Sequence, residues 1–374
     1  MRLGSVSSAD FFEKVPIEFI DREVILPVTI NGANYKFILD TGAPTVLSKN
    51  TADTLKLRPI FYLTSSDVHK NKSTLPFTKA DEICIGKLKF INQGAAIYDF
   101  SRNKEISCSP YSSIIGANLM ISAIWQINIK DKVIYITNDI KKLNIPKSAI
   151  KFGFMETTSE TPIINVSIDS ININHVTLDY GSGSGIDLIS EKLIAKIHAE
   201  KKNFVRTFGY NSVGLFGGKN DTTYIVKDSA AVGGNTLGEQ EITIRRSGTS
   251  TIGTQVLKNY IVTLDWNTDT VYMEKIASEP PDNIKTFGFS AILKDGKFLV
   301  TSITEKSSAV ENSLALGDQI MSVNGKDYTT LSSDDYCNYV TNGLVPKSVN
   351  TVEIDYKHND VVKKIKLERR YSLN

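Results

Sequence analysis

Phe37-Ile-Leu-Asp-Thr-Gly-Ala-Pro-Thr-Val-Leu-Ser48 decides how the rest of the chain is read. An apolar run ends in an acid, and a hydroxyl residue, a glycine and a second apolar run follow. This pattern predicts a strand that delivers the Asp40 carboxylate into a tight turn, then another strand. A carboxylate at the end of an apolar run is costly to bury unless it is hydrogen-bonded or chemically employed. Gly42 lets the backbone turn and approach a neighbour closely, and Thr41 brings a short hydroxyl that can tie the turn down.

Val176-Thr-Leu-Asp-Tyr-Gly-Ser-Gly-Ser-Gly-Ile-Asp-Leu-Ile-Ser190 repeats the pattern around Asp179, with Gly181 two residues on. Each stretch has a downstream companion, Ser113-Ile-Ile-Gly-Ala-Asn-Leu-Met120 for the first and Thr251-Ile-Gly-Thr-Gln-Val-Leu257 for the second. Gly116 follows Asp40 by 76 residues and Gly253 follows Asp179 by 74. That matched spacing marks an internal duplication. The segments Ile127–Ile136 and Val262–Met273 extend it, since both run apolar, acid, turn, Val, Tyr.

Asp-Thr-Gly-Ala between apolar strands, followed at a distance by Ile-Ile-Gly, resembles the aspartic proteases of the pepsin and retropepsin type over roughly residues 16 to 276. The resemblance implies a mainly β, two-lobed β-barrel fold, with lobes at residues 16–150 and 151–276 after an N-terminal arm of residues 1–15. It implies an aspartic endopeptidase in which Asp40 and Asp179 form a catalytic pair that activates a water. Thr41, Gly42, Gly181 and Ser182 would support the two active-site loops. The substrate would be a peptide or protein, and no metal or other cofactor is needed. Tyr180 departs from the pattern, because it stands where the family has Thr or Ser. In the family the hydroxyl after each aspartate crosses to the opposite lobe. Thr41 can do this and Tyr180 cannot do it in the same way; Ser182 and Ser184 are candidate substitutes. The alternative is therefore a catalytically inactive peptide-binding protein on the same fold.

Between the lobes' repeated parts the chain reads as connecting hairpins and short helices. Residues 1–14 are polar and read as a loose arm, and Asn31-Gly32 is a hairpin signal. Lys49–Leu57 suits a short helix, and Leu188–Glu200 reads as helical from its apolar spacing. Residues 63–79, polar and long for a connection, read either as a hairpin flap over the cleft or as a solvent loop. The glycine-rich Tyr210–Tyr224 is a second flap-like candidate. Residues 277–283, with Pro280-Pro281, read as a stiff linker.

After the linker the chain changes character. Leu316-Gly-Asp-Gln-Ile-Met-Ser-Val-Asn-Gly325 resembles the signature of PDZ domains, and Phe287-Gly288-Phe289 resembles their carboxylate-binding loop. This second resemblance covers residues 284–374 and implies a groove that captures peptide C-termini as an added strand, with Phe287, Gly288 and Phe289 at the carboxylate.

Composition sets the outer bounds. The chain has 374 residues, is 41% hydrophobic and 22% charged, and carries a net charge of +2, so it has ample core material and no nucleic-acid footprint. Cys84, Cys108 and Cys337 lie far apart, an odd count that reads as free thiols rather than a disulfide framework or zinc site. The four histidines show no ligand spacing. Gly181-Ser-Gly-Ser-Gly185 lacks the spacing of a nucleophile elbow. No apolar stretch is long enough to span a membrane, and the first residues lack an apolar signal core, which leaves the compartment open, including export with a leader removed. A monomer is expected.

Overall fold

The computed structural model describes residues 4–276, 285–371 and 373. It is mainly β, and the duplication read from the sequence reappears in the strand pairing. Ala33–Asp40 lies parallel to Ser113–Gly116, with Asp40 opposite Gly116, and Val46–Ser48 closes antiparallel on the same returning strand. In the second half Ile171–Leu178 lies parallel to Ser250–Ile252, and Ile186–Ile189 closes on it antiparallel. Each returning strand runs into a one-turn helix, Ala117–Met120 or Thr254–Leu257, with Gly116 or Gly253 at its start. A Cβ at Gly116 would stand 2.1 Å from the Pro44 carbonyl carbon, and one at Gly253 would stand 2.5 Å from the Ser182 carbonyl oxygen. Only glycine lets these strands pass against the aspartate turns.

The halves join through a six-stranded sheet, in which the hairpin Ile124–Asn128/Val133–Thr137 lies beside the hairpin Tyr260–Asp265/Thr270–Lys275 and Ile124 sits opposite Asp265. Alternate residues of both hairpins, among them Trp125, Ile134, Leu264 and Val271, enter one apolar cluster drawn from both halves. Each such side chain contributes about 1.5–3 kcal/mol on burial. The fully buried Trp125 donates its indole N–H to the Met120 carbonyl at 2.9 Å, so its single polar atom is satisfied.

Two expectations are corrected in this region, and one of two open readings is selected. Residues 5–16 are not a loose arm: Ser5–Val6 pairs with Leu88–Tyr98, and Phe12–Pro16 forms the edge of the six-stranded sheet against Val133–Thr137. Phe11 and Val15 are buried there, and two anchors on a sheet edge suffice to order a polar stretch. Leu188 and Ile189 belong to a strand, and the helix begins at Glu191 because the Ser190 hydroxyl accepts the Leu193 N–H at its N-terminus. Residues 63–79 are no solvent loop but part of a long hairpin, Phe61–Ser66 with Lys72–Ile85. The glycine-rich stretch is a hairpin as well, Phe204–Gly214 with Gly217–Val232.

Residues 285–371 form their own apolar cluster around Phe298, Ile320, Ile354 and Tyr356. The strand Phe289–Lys294 pairs with Lys297–Thr304, the helix Ser333–Asn342 packs nearby, and Thr351–His358 pairs with Val361–Glu368. The expected linker, residues 277–283, lies outside the described residues. The C-terminal segment is joined to the rest at several other points. Thr207–Gly209 pairs antiparallel with Ser302–Thr304, and Arg206 engages Glu305 through two N–H groups. A disulfide joins Cys108 to Cys337, with Cα atoms 4.9 Å apart across a sequence separation of 229. The free-thiol expectation is thus wrong for this pair and right for Cys84. Sequence spacing is silent on a bond between elements brought together only by long-range packing. No helix among the described residues is long and apolar enough to cross a membrane.

Candidate active site

The two aspartate turns meet face to face. Gly42 donates its N–H to Asp40 Oδ1 at 2.8 Å, and Gly181 donates its N–H to Asp179 Oδ1 at 2.9 Å, so one local turn is built twice. The carboxyls of Asp40 and Asp179 face one another across the two turns, close enough to interact directly. The glycines are required by this approach rather than by backbone angle. A Cβ at Gly42 would lie 2.8 Å from Asp179 Cγ, and one at Gly181 would lie 2.2 Å from Asp40 Cγ.

Both aspartates keep partial exposure, yet protein packs around them closely enough for burial to raise both carboxyls above the usual range. Asp40 is pushed up to about 6 by burial, against the pull of the Gly42 N–H and the Asp179 bond. Asp179 is raised well above its ordinary value, first by burial and then by the charge of Asp40. Two carboxyls in contact share a proton because both cannot ionise cheaply at that distance. The pair therefore titrates as a unit, with one proton held between the two carboxyls.

Thr41 behaves as its residue type suggests. Its hydroxyl crosses between the halves, donating to the Leu178 carbonyl at 2.6 Å and accepting the Tyr180 N–H at 3.0 Å. The reciprocal bond is missing. Tyr180 is fully buried, burial raises its phenol, and its hydroxyl has no hydrogen-bond partner among the described residues. Ser182 and Ser184 do not take over, because their hydroxyls bond each other at 2.7 Å within their own loop. A different crossing compensates: the Thr254 hydroxyl donates to the Arg22 carbonyl at 2.6 Å.

The hairpins converge on this region. The Asp67 carboxylate at the tip of the first accepts the Phe216 N–H of the second at 3.0 Å, and Asn71 donates to the Gly217 carbonyl at 3.2 Å. Leu215 and Phe216 share an apolar cluster with Ala43, beside the Asp40 turn, and with Tyr111. Sequence reasoning missed one acid here. Glu23 is pushed up to about 8 by burial and by the charges of Asp21 and Asp40, while a bond from Tyr111 pulls the other way. It stands beside the apolar run Val24-Ile-Leu, and no spacing rule marks it.

Phe287, Gly288 and Phe289 are not part of this constellation. Gly288 adopts φ +93°, and a Cβ there would meet Ser307 at 2.0 Å. Phe287 and Phe289 line one end of a cavity of about 770 Å³ between the strand Phe289–Lys294 and the helix Ser333–Asn342.

Comparison with known families and proteins adds one result. Residues 26–119 match the family described as aspartyl protease, so this part of the chain is an aspartyl-protease-like domain. The matched span contains Asp40, Gly116 and the strands that frame them. No curated protein matches the chain.

Proposed function

We propose that the protein is an aspartic endopeptidase of bilobal, retropepsin-like build, with lobes at residues 16–150 and 151–276 and a C-terminal PDZ domain from residue 284. The observation that carries this reading is the direct approach of the Asp40 and Asp179 carboxyls, each held by the same turn in a duplicated frame. In its working form the pair carries one proton. Asp40, as the ionised member, takes a proton from a water as that water adds to the scissile carbonyl carbon. Asp179 donates its proton to the carbonyl oxygen as charge develops there. Collapse of the tetrahedral intermediate breaks the C–N bond: Asp40 passes the proton it took from water to the leaving nitrogen, and Asp179 recovers a proton from an intermediate hydroxyl as the carboxyl carbonyl forms. The converging hairpins hold an extended substrate over the pair, and the Phe287–Phe289 loop takes a peptide carboxylate.

The test is cleavage of a denatured protein substrate by the wild-type chain and by Asp40→Asn and Asp179→Asn, with circular dichroism as the control for folding. Each change is expected to abolish cleavage and preserve the spectrum; cleavage that survives both assigns the activity elsewhere. A second reading, a peptide-binding protein without catalysis, draws on the partnerless phenol of Tyr180, which leaves one of the two crossing bonds unmade. Peptide binding without turnover in the wild-type chain would select it.

A further inference from the structure

The cavity beside Phe287 is shared. Its walls include Ala291, Tyr336 and Tyr339 of the C-terminal segment, and also Arg22, Glu105 and Tyr210 from the aspartate-bearing halves. The helix runs antiparallel to the strand, since Tyr336 lies at Leu293 and Tyr339 lies at Ala291. The Tyr339 hydroxyl accepts the Ala291 N–H at 3.2 Å and donates to the Ala291 carbonyl at 2.8 Å. The other edge of that strand is already paired with Lys297–Thr304. The phenol therefore occupies the place of a peptide group from an added strand.

The two ends of the cavity differ. At the Phe287 end the Arg369 guanidinium lies 4.8 Å over the Phe287 ring and donates to the carbonyls of Lys347 and Val345. Its Nε–H is buried with no hydrogen-bond partner among the described residues. Lys285 and Lys347 line the same end, which suits an anion. At the other end Tyr336 donates to Glu105 at 2.8 Å. Beyond it the Arg22 carbonyl is bonded to Thr254, and Arg22 Cβ lies 3.4 Å from the position of a Cβ on Gly183, in the Asp179 loop.

Building on the peptidase reading, we propose that one polypeptide occupies both sites. Its free C-terminal carboxylate sits at Arg369 and the Phe287–Phe289 loop, its tail displaces the Tyr339 hydroxyl along the strand, and the same chain continues past Tyr210 and Arg22 to Asp40 and Asp179. The enzyme then cuts at a fixed number of residues from a free C-terminus. The spacing is fixed because the C-terminal segment is docked by strand pairing at Thr207–Gly209, by the Arg206–Glu305 pair and by the Cys108–Cys337 disulfide.

The full chain is given peptides of one sequence with stepwise Gly-Ser insertions before the C-terminus, each as free acid and as amide, and products are read by mass spectrometry. The cut is expected to move with the C-terminus as residues are inserted. Amidation is expected to lower kcat/KM about tenfold or more, the worth of a charge-assisted anchor. Arg369→Gln should lower the rate on the acid and bring the acid-to-amide rate ratio toward one, with circular dichroism as the control for folding. A cut that stays with the sequence, with acid and amide cleaved alike, overturns the inference and leaves the peptidase reading intact. If no peptide is cut, the peptidase reading fails and the spanning arrangement is read by titration instead. Extending a free-acid peptide from about four to about twelve residues should then tighten binding about tenfold, and no gain overturns it. A short C-terminal peptide added alone should compete with the substrate; activation by it, as by a separate effector, also counts against the inference.

Discussion

Tyr180→Phe is expected to stabilise the protein. The Tyr180 ring fills a fully buried site between the halves, and its hydroxyl has no hydrogen-bond partner among the described residues. A buried hydroxyl without a partner carries its full desolvation penalty, about 1–3 kcal/mol, and its removal gives up no bond. The ring remains, so no large cavity opens. The backbone N–H of residue 180 keeps its bond to Thr41. The expected gain is about 1–2 kcal/mol, which raises Tm by about 2–4 °C per kcal/mol in a unit of this size. Urea unfolding followed by tryptophan fluorescence measures it, because the chain's two tryptophans, Trp125 and Trp266, both lie in the cluster that contains Tyr180. The cleavage rate should hold, since the hydroxyl touches neither aspartate. A loss of 1 kcal/mol or more would refute the reasoning, for it would mean that the hydroxyl is bonded in solution and that Tyr180 has a positive role in holding the second loop.

Thr41→Val keeps the shape of Thr41 but strands the Leu178 carbonyl and the Tyr180 N–H in a buried site, so a loss of about 2–4 kcal/mol in urea unfolding is expected, together with a fall in cleavage rate. The pH dependence follows from the raised carboxyls. Cleavage should climb as pH rises through about 6, where Asp40 gives up its proton and becomes the base, and fall only where Asp179 loses its own. Native Glu23 holds its proton up to about 8, whereas an unfolded glutamate gives it up near 4.5, so stability falls as pH rises across that window. Glu23→Gln should flatten that slope, with a bound of about 5 kcal/mol that the partial exposure of Glu23 reduces. Cys108→Ser with Cys337→Ser opens a closure of 229 residues, worth up to about 5 kcal/mol in the chain-entropy account. The tryptophan-reported unfolding transition should move down, because Trp125 and Trp266 both lie inside the closed loop.

What the sequence discloses about the site depends on whether the partner of a residue is written into a local repeat. Asp40 and Asp179 were legible because duplication wrote the same strand, turn and returning glycine twice, and equal spacing in sequence became equal geometry in space. The crossing role of Thr41 came from the family resemblance; its short hydroxyl next to the acid indicated only that it could tie the turn down. Cys108 and Cys337 were not, since nothing local to either indicates that helix Ser333–Asn342 docks on the segment around Glu105. Glu23, Arg369 and Tyr339 were missed for the same reason. Each is ordinary in its own stretch and acquires its environment from a residue more than forty positions away, Tyr111 for Glu23, Phe287 for Arg369 and Ala291 for Tyr339. Tyr180 lies between these cases. Its departure from the repeat could be read directly, and the missing crossing bond followed from it. That the chain tolerates the departure could not be read, because it depends on a pocket built from both halves, large enough for the ring yet lacking an acceptor for its hydroxyl. The second half also uses Thr254 to reach Arg22, so the halves are bonded together near the site by two different hydroxyls, and the loss of one hydroxyl does not by itself separate them.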